Sequence, residues 1–103
     1  MNEAKSYRTL REFYPFYLSE HSHRTSRRLH FIGTTTALTL CITALVTQLW
    51  WLVAVALVQG YAFAWAGHFF FEHNKPATFV YPWLSFLSDG RMWWEILTGK
   101  IRF

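Results

Sequence analysis

Two long apolar stretches follow one another in the middle of the chain, and they restrict its fold more than any other feature. Residues 29–48 contain no acidic or basic side chain except His30, and residues 49–71 contain no Asp, Glu, Lys or Arg. An α-helix rises about 1.5 Å per residue, so each stretch can match the hydrocarbon thickness of a bilayer, about 30 Å. The sequence therefore predicts two membrane-spanning helices, at about 29–48 and 49–71.

A turn near residues 47–51 must join the two spans, although no glycine or proline marks it. Gln48, Trp50 and Trp51 suit the far membrane interface, where amphipathic side chains collect. The alternative is a hairpin buried in a soluble core, but too little polar chain remains to cover both helices. Charged residues make up only 16% of the chain, against about 25% in soluble domains. We therefore expect a transmembrane helical hairpin.

The two ends of the chain are too short or too polar to span a membrane. Residues 5–21 are aromatic and basic with helical spacing, as in an interfacial helix. Residues 77–99 contain a short apolar patch, and Asp89 and Gly90 within it predict a turn. We therefore expect a single all-α integral membrane domain over residues 1–103. It consists of the hairpin with short interfacial or re-entrant helices at both ends.

The basic residues predict how the hairpin is oriented. Six of the ten precede the first span: Lys5, Arg8, Arg11, Arg24, Arg27 and Arg28. The others follow the second span, so both termini are expected on the cytoplasmic side. Basic residues beside the spans explain the net charge of +4, because they would contact membrane lipid. No nucleic-acid-binding motif accompanies the charge, so we expect no nucleic-acid partner. The sequence makes no prediction of an oligomeric state.

The hairpin brings the ionisable side chains near its ends to one membrane face. These are five histidines and one carboxylate: His21, His23, His30, His68, His73 and Glu72. His68 and Glu72 are four residues apart and share a face of a regular helix. His21 and His30 are nine apart and converge only if the loop at residues 22–26 folds back.

Imidazole nitrogens are good ligands for zinc, iron, copper and nickel. Two or three histidines with a carboxylate and an open coordination position are typical of non-haem iron sites. The candidate ligands are His21, His30, His68 and Glu72, with His73 as a fifth if the helix breaks before it. Two alternatives stay open. The histidines could be interfacial polar groups of a non-enzymatic membrane scaffold or subunit, or a pair of them could bind haem or a quinone.

Two signatures in the chain resemble those of a known family. The first is Tyr17–His21 (YLSEH), followed after eight residues by His30–Gly33 (HFIG). The second is Gly67–Glu72 (GHFFFE), followed by Lys75–Ala77 (KPA). Together they resemble the Mpo-like 2-hydroxy fatty acid dioxygenases, small membrane proteins long catalogued as a domain of unknown function.

This resemblance implies an activity and a location. The implied reaction is iron(II)-dependent cleavage of a 2-hydroxy fatty acid by molecular oxygen, which gives the fatty acid one carbon shorter. His21, His30, His68 and Glu72 match the family's histidines and the glutamate that follows them, and are the implied catalytic and iron-binding residues. The implied location is the endoplasmic reticulum in a eukaryote and the inner membrane in a bacterium.

Overall fold

A computed structural model describes residues 7–103, and in this range the chain is helical with no strand. Residues 5 and 6 of the first predicted segment lie outside it. The helices are α1 (Leu10–Ser19), α2 (Arg24–Thr47), α3 (Trp51–Ala66) and α4 (Pro82–Leu97). A π-helical segment, Gly67–Glu72, continues α3, and a short 3-10 helix, Ala77–Phe79, precedes α4. The prediction of an all-α fold is confirmed.

The hairpin of α2 and α3 turns where the sequence predicted. α2 ends at Thr47, and α3 begins at Trp51. Gln48 adopts the left-handed conformation that ends many helices, with φ 61°. Glycine usually takes this position because it has no Cβ. Here a glutamine takes it, so no glycine marks the turn in the sequence. α2 begins before the apolar stretch, at Arg24, where the His23 side chain accepts a hydrogen bond from the Thr25 N–H.

Small residues let α2 and α3 approach each other closely. A Cβ on Gly33 would lie 3.0 Å from the Phe63 Cβ and 3.3 Å from the Gly60 carbonyl oxygen. The Gln59 side chain donates a hydrogen bond of 2.9 Å from its Nε2 to the Gly33 carbonyl oxygen. Close backbone approach and interhelical hydrogen bonds of this kind hold helices together where no water is present.

The outer surface of the hairpin is apolar. Val46 is 78% exposed and Val58 is 71% exposed, and fewer than a quarter of the residues in either apolar stretch are buried. The Thr39 and Thr43 hydroxyls donate to backbone carbonyls one turn earlier in α2. Two helical segments, Arg24–Thr47 and Trp51–Glu72, are long and apolar enough to cross a membrane.

The larger side chains of the core lie between α1 and α4. The cluster comprises Phe13, Tyr14, Tyr17, Met92 and Ile96. The Tyr14 hydroxyl also donates a hydrogen bond of 2.6 Å to the Glu95 carboxylate. The two end segments therefore pack on each other, and α4 also contacts α2.

The turn predicted at Asp89 and Gly90 is wrong, because both residues lie inside α4. The buried face of this helix, Ser85, Ser88, Met92 and Ile96, continues on both sides of them at helical spacing. Burial of that face outweighs the cost of a glycine in a helix, about 1 kcal/mol. Asp89 is consequently held on a rigid element rather than in a loop.

Gly67 is the point at which the π-helical segment rests on α2. A Cβ on Gly67 would lie 2.7 Å from the Ser26 Oγ and 3.2 Å from the Ser26 Cα. The second of these atoms belongs to the backbone and cannot rotate away. Only glycine at this position allows the residue that follows, His68, to come so close to α2.

This contact predicts a difference between two glycine substitutions. Gly67→Ala should lower the free energy of unfolding by about 1–3 kcal/mol, because α2 and the π-helical segment must separate. Gly90→Ala is the control, since a Cβ there meets nothing within 4 Å. It should raise stability by about 0.5–1 kcal/mol. Denaturant unfolding in detergent, followed by tryptophan fluorescence, measures both; equal effects would contradict the packing described.

Candidate metal centre

His21 follows α1 and is fully buried, 1% exposed. Its Nδ1 lies 2.7 Å from the backbone carbonyl oxygen of Tyr17, and its ring stacks on the Tyr17 ring with centroids 4.1 Å apart. A carbonyl oxygen can only accept a hydrogen bond, so Nδ1 must carry the hydrogen. In the neutral ring, Nε2 then carries the free lone pair.

His30 lies near the start of α2 and points toward the same place. Its Nε2 is 3.0 Å from the Nε2 of His21. On its other side, Nδ1 is 3.6 Å from the Oδ1 of Asp89 on α4. This carboxylate favours the tautomer with hydrogen on Nδ1, which again leaves the lone pair on Nε2.

His68, in the π-helical segment, is oriented by an amide. Its Nδ1 lies 2.6 Å from the side-chain oxygen of Asn74. The Asn74 Nδ2 donates to the Glu20 carbonyl oxygen at 3.1 Å, so the amide oxygen is the atom that faces His68. His68 therefore donates from Nδ1, and its Nε2 is the nitrogen with a free lone pair.

The three histidines thus form a buried cluster in which each ring carries its hydrogen on Nδ1 and its free lone pair on Nε2. One ring nitrogen of each of His21, His30 and His68 lies within 4.8 Å of the others. All three side chains are buried, and the Nδ1 of each faces an oxygen acceptor. Among the described residues no other group of three such side chains is placed to hold a metal ion.

A cation fits between these nitrogens. Two lone pairs 3.0 Å apart, as in His21 and His30, repel each other unless a positive charge lies between them. Imidazole nitrogens bind a metal ion at about 2.1 Å, so two such ligands at a right angle lie about 3.0 Å apart. An oxygen acceptor on the second ring nitrogen is the usual partner of a metal-bound histidine. Both observations match a metal site.

The electrostatics keep His21 neutral. Burial, with the nearby His68 and Arg27, lowers the pKa of His21 to about 3. A neutral imidazole is the form that binds metal. Arg27 also donates from Nη1 to the carbonyl oxygen of His21 at 3.1 Å, which ties the residue to the first turn of α2.

Asp89 and Tyr17 connect two of the histidines. The Tyr17 hydroxyl donates to the Asp89 Oδ1, the oxygen that faces His30. Burial raises the pKa of Asp89 to about 7, and the Tyr17 hydrogen bond opposes that rise. Burial and the Asp89 charge hold the pKa of Tyr17 well above its usual value, so its hydroxyl stays a donor. Tyr17 therefore orients His21 through its carbonyl and Asp89 through its hydroxyl.

The other candidate ligands lie apart from this cluster. Glu72 accepts hydrogen bonds from the backbone N–H of His23 at 2.8 Å and from the Ser22 hydroxyl at 3.3 Å. His73 is exposed and takes a left-handed conformation, φ 57°, at the end of the π-helical segment. His23 caps α2.

Glu72 and His68 lie four residues apart but make different contacts. Residues 67–72 wind more widely, and single π-helical turns are common at functional sites. The His68 side chain faces the histidine cluster, while Glu72 holds the loop between α1 and α2.

Sequence reasoning missed three residues of the site: Tyr17, Asn74 and Asp89. Tyr17 was assigned to an interfacial helix, and Asn74 lies in an irregular segment whose path no periodicity reveals. Asp89 did carry a signal, because it is the only acidic residue between Glu72 and Glu95. A lone carboxylate in an apolar region is costly unless it is paired.

An apolar cleft begins at the cluster and runs along the hairpin. Its volume is about 470 Å³, and α2, α3 and α4 form its walls. His30 and Asp89 line one end, and Cys41 and Ala56 lie toward the other. The cleft therefore connects the candidate metal site to the apolar part of the hairpin.

These features define a class of protein: a small helical protein in which a hydrophobic hairpin meets its end segments at a buried trio of histidines. A family model described as 2-hydroxy-palmitic acid dioxygenase Mpo1-like matches residues 7–101. The chain belongs to this Mpo1-like family, as its two signatures predicted. Comparison with curated proteins and with solved structures gives no match.

The side chains of Asn74 and Asp89, which orient His68 and His30, predict a selective loss of metal affinity. Asn74→Ala and Asp89→Asn should each weaken Co²⁺ binding by about 10- to 100-fold, because His68 loses its acceptor oxygen or His30 loses the negative charge that favours hydrogen on its Nδ1. Glu95→Gln is a matched control, since Glu95 also lies on α4 and accepts from a tyrosine of α1, Tyr14. Its affinity should equal that of the parent protein. Visible-absorption titration measures all three, and a uniform loss would contradict the assignment.

Proposed function

We propose that this protein is an iron(II)-dependent dioxygenase that cleaves 2-hydroxy fatty acids to the fatty acid one carbon shorter. The observation that carries the proposal is the convergence of the three buried Nε2 lone pairs of His21, His30 and His68. In each ring an oxygen atom faces Nδ1 and orients the imidazole. Membership of the Mpo1-like family supports the reaction and the substrate class. Three histidines leave open coordination positions, as a non-haem iron that binds substrate and oxygen requires.

The proposed ligands are His21, His30 and His68. Glu72 and His73 are left out of the ligand set. Glu72 already accepts from His23 and Ser22, and its role would be to hold the loop that carries His21. His73 would serve as the residue that ends the π-helical segment.

The protein is proposed to lie in a membrane as a two-span hairpin. The apolar outer surfaces of α2 and α3 support this, because a soluble protein rarely exposes such an area. Basic residues near the open end of the hairpin favour the cytoplasmic side for both termini; they include Arg24, Arg27, Arg28, Lys75, Arg91, Lys100 and Arg102. The membrane would be the inner membrane in a bacterium and the endoplasmic reticulum in a eukaryote.

The reaction balances with one molecule of oxygen. The bond between carbon 1 and carbon 2 breaks, carbon 1 leaves as carbon dioxide, carbon 2 becomes the new carboxyl carbon, and one water forms. The iron would supply oxygen activation and a template for the hydroxyl and carboxylate of the substrate. Oxygen partitions into lipid, so it can approach from the hydrocarbon side.

The protein's own residues would exclude water and manage a proton. The three histidines and the α1–α4 core close the site on the side away from the hairpin. Asp89 lines the polar end of the cleft, where its carboxylate can accept a proton from a bound substrate. We assign it the proton of the substrate's 2-hydroxyl. Tyr17 would keep the Asp89 Oδ1 in place.

A pair of neighbouring histidines tests the proposal. Iron-loaded protein should convert 2-hydroxyhexadecanoic acid to pentadecanoic acid, measured by mass spectrometry. His68→Ala should remove this activity, because one of three ligands is lost. His73→Ala should leave it within about twofold, since the His73 side chain is exposed and its hydrogen bond to the His68 carbonyl oxygen comes from the backbone N–H, which alanine keeps.

The outcomes separate the alternatives. Absence of product from iron-loaded parent protein would contradict a dioxygenase. If His68→Ala also kept its fold and partner interactions, a non-enzymatic membrane subunit would be favoured. Equal loss in both variants would contradict the proposed ligand set.

A further inference from the structure

The cleft beside the candidate metal centre is polar at one end only. His30 and Asp89 lie at that end, and below them α2 contributes Thr34, Ala37 and Cys41. The facing wall of α3 carries small residues, including Gly60 and Ala64. Apart from the Thr34 and Tyr61 hydroxyls, the lining beyond this end is apolar. A ligand that fits must therefore have a polar head and a long apolar body.

We propose that the cleft holds the alkyl tail of the substrate and that its depth selects the chain length, with Cys41 near the far end. This inference rests on the proposed function for the identity of the head group. We assign the substrate tail to the cleft because the cleft is continuous with the candidate metal site: its polar end is the His30 side of the histidine cluster. A head group at the cluster leaves the tail only this apolar path.

The length of the cleft gives a threshold. His30 and Cys41 are eleven residues apart on one helix, about 16 Å along its axis. With carbon–carbon bonds of about 1.5 Å, each carbon of an extended chain advances about 1.25 Å. A tail must therefore extend about thirteen carbons from the cluster to cover Cys41. A sixteen-carbon acid reaches it, and an eight-carbon acid stops near Ala37.

Cys41 can report whether a tail fills the far end of the cleft, because it is the only cysteine of the chain. It is partly buried and lines the cleft. The experiment measures the rate at which N-ethylmaleimide alkylates Cys41 in the full chain, reconstituted in phospholipid nanodiscs and kept metal-free with a chelator. Added 2-hydroxyhexadecanoic acid should slow the reaction at least tenfold, whereas 2-hydroxyoctanoic acid at the same concentration should leave it unchanged.

A double variant controls for general effects of the fatty acid on the bilayer. In Cys41→Ala/Ile42→Cys the thiol moves to the next residue, which is 61% exposed on the outer face of α2. Its alkylation rate should not respond to either acid. Protection at this position, equal protection of Cys41 by both acids, or no protection by the long acid would each overturn the proposal.

The design separates this inference from the function on which it rests. Protection is read without metal and without turnover, so an inactive protein can still show it. Protection of Cys41 together with no product from iron-loaded protein would leave the tail site standing and reject the dioxygenase. Product formation without protection would do the reverse.

Discussion

The structure depends on the approach of the three imidazole lone pairs of His21, His30 and His68 in a space that water does not enter. With hydrogen on each Nδ1, lone pairs as close as 3.0 Å face each other with no hydrogen between them, and burial discourages protonation of His21. The surrounding packing must therefore hold the cluster together when no cation is bound. A metal ion bound by all three nitrogens would make this unfavourable arrangement favourable.

Each helix contributes to that packing in a different way. Tyr17 on α1 stacks on His21 and bonds to Asp89 on α4, so the α1–α4 core positions two of the histidines. Gly67 brings the third within reach of α2. The hairpin then adds the apolar cleft that begins at His30. The site therefore depends on the fold: separation of α1 from α4 would disturb the histidine cluster, as the loss of a ligand would.

Much of this could be predicted from the sequence, since long apolar stretches fix helices and a hairpin fixes which residues meet. That reasoning placed the turn near Gln48 and gathered the histidines at one end. It failed to find the residues that orient the histidines. The segment after the π-helix places Asn74 beside His68, and the continuous helix α4 places Asp89 beside His30. Residue spacing predicts neither contact, because each depends on how distant parts of the chain pack together.

We propose that three histidine nitrogens bind one iron ion. X-ray absorption spectroscopy of protein purified without chelator or affinity-tag histidines tests it most directly, together with elemental analysis. The account predicts about one iron per chain, with scattering from about three imidazole rings. Protein that binds no metal above background, or iron without imidazole scattering, would contradict it.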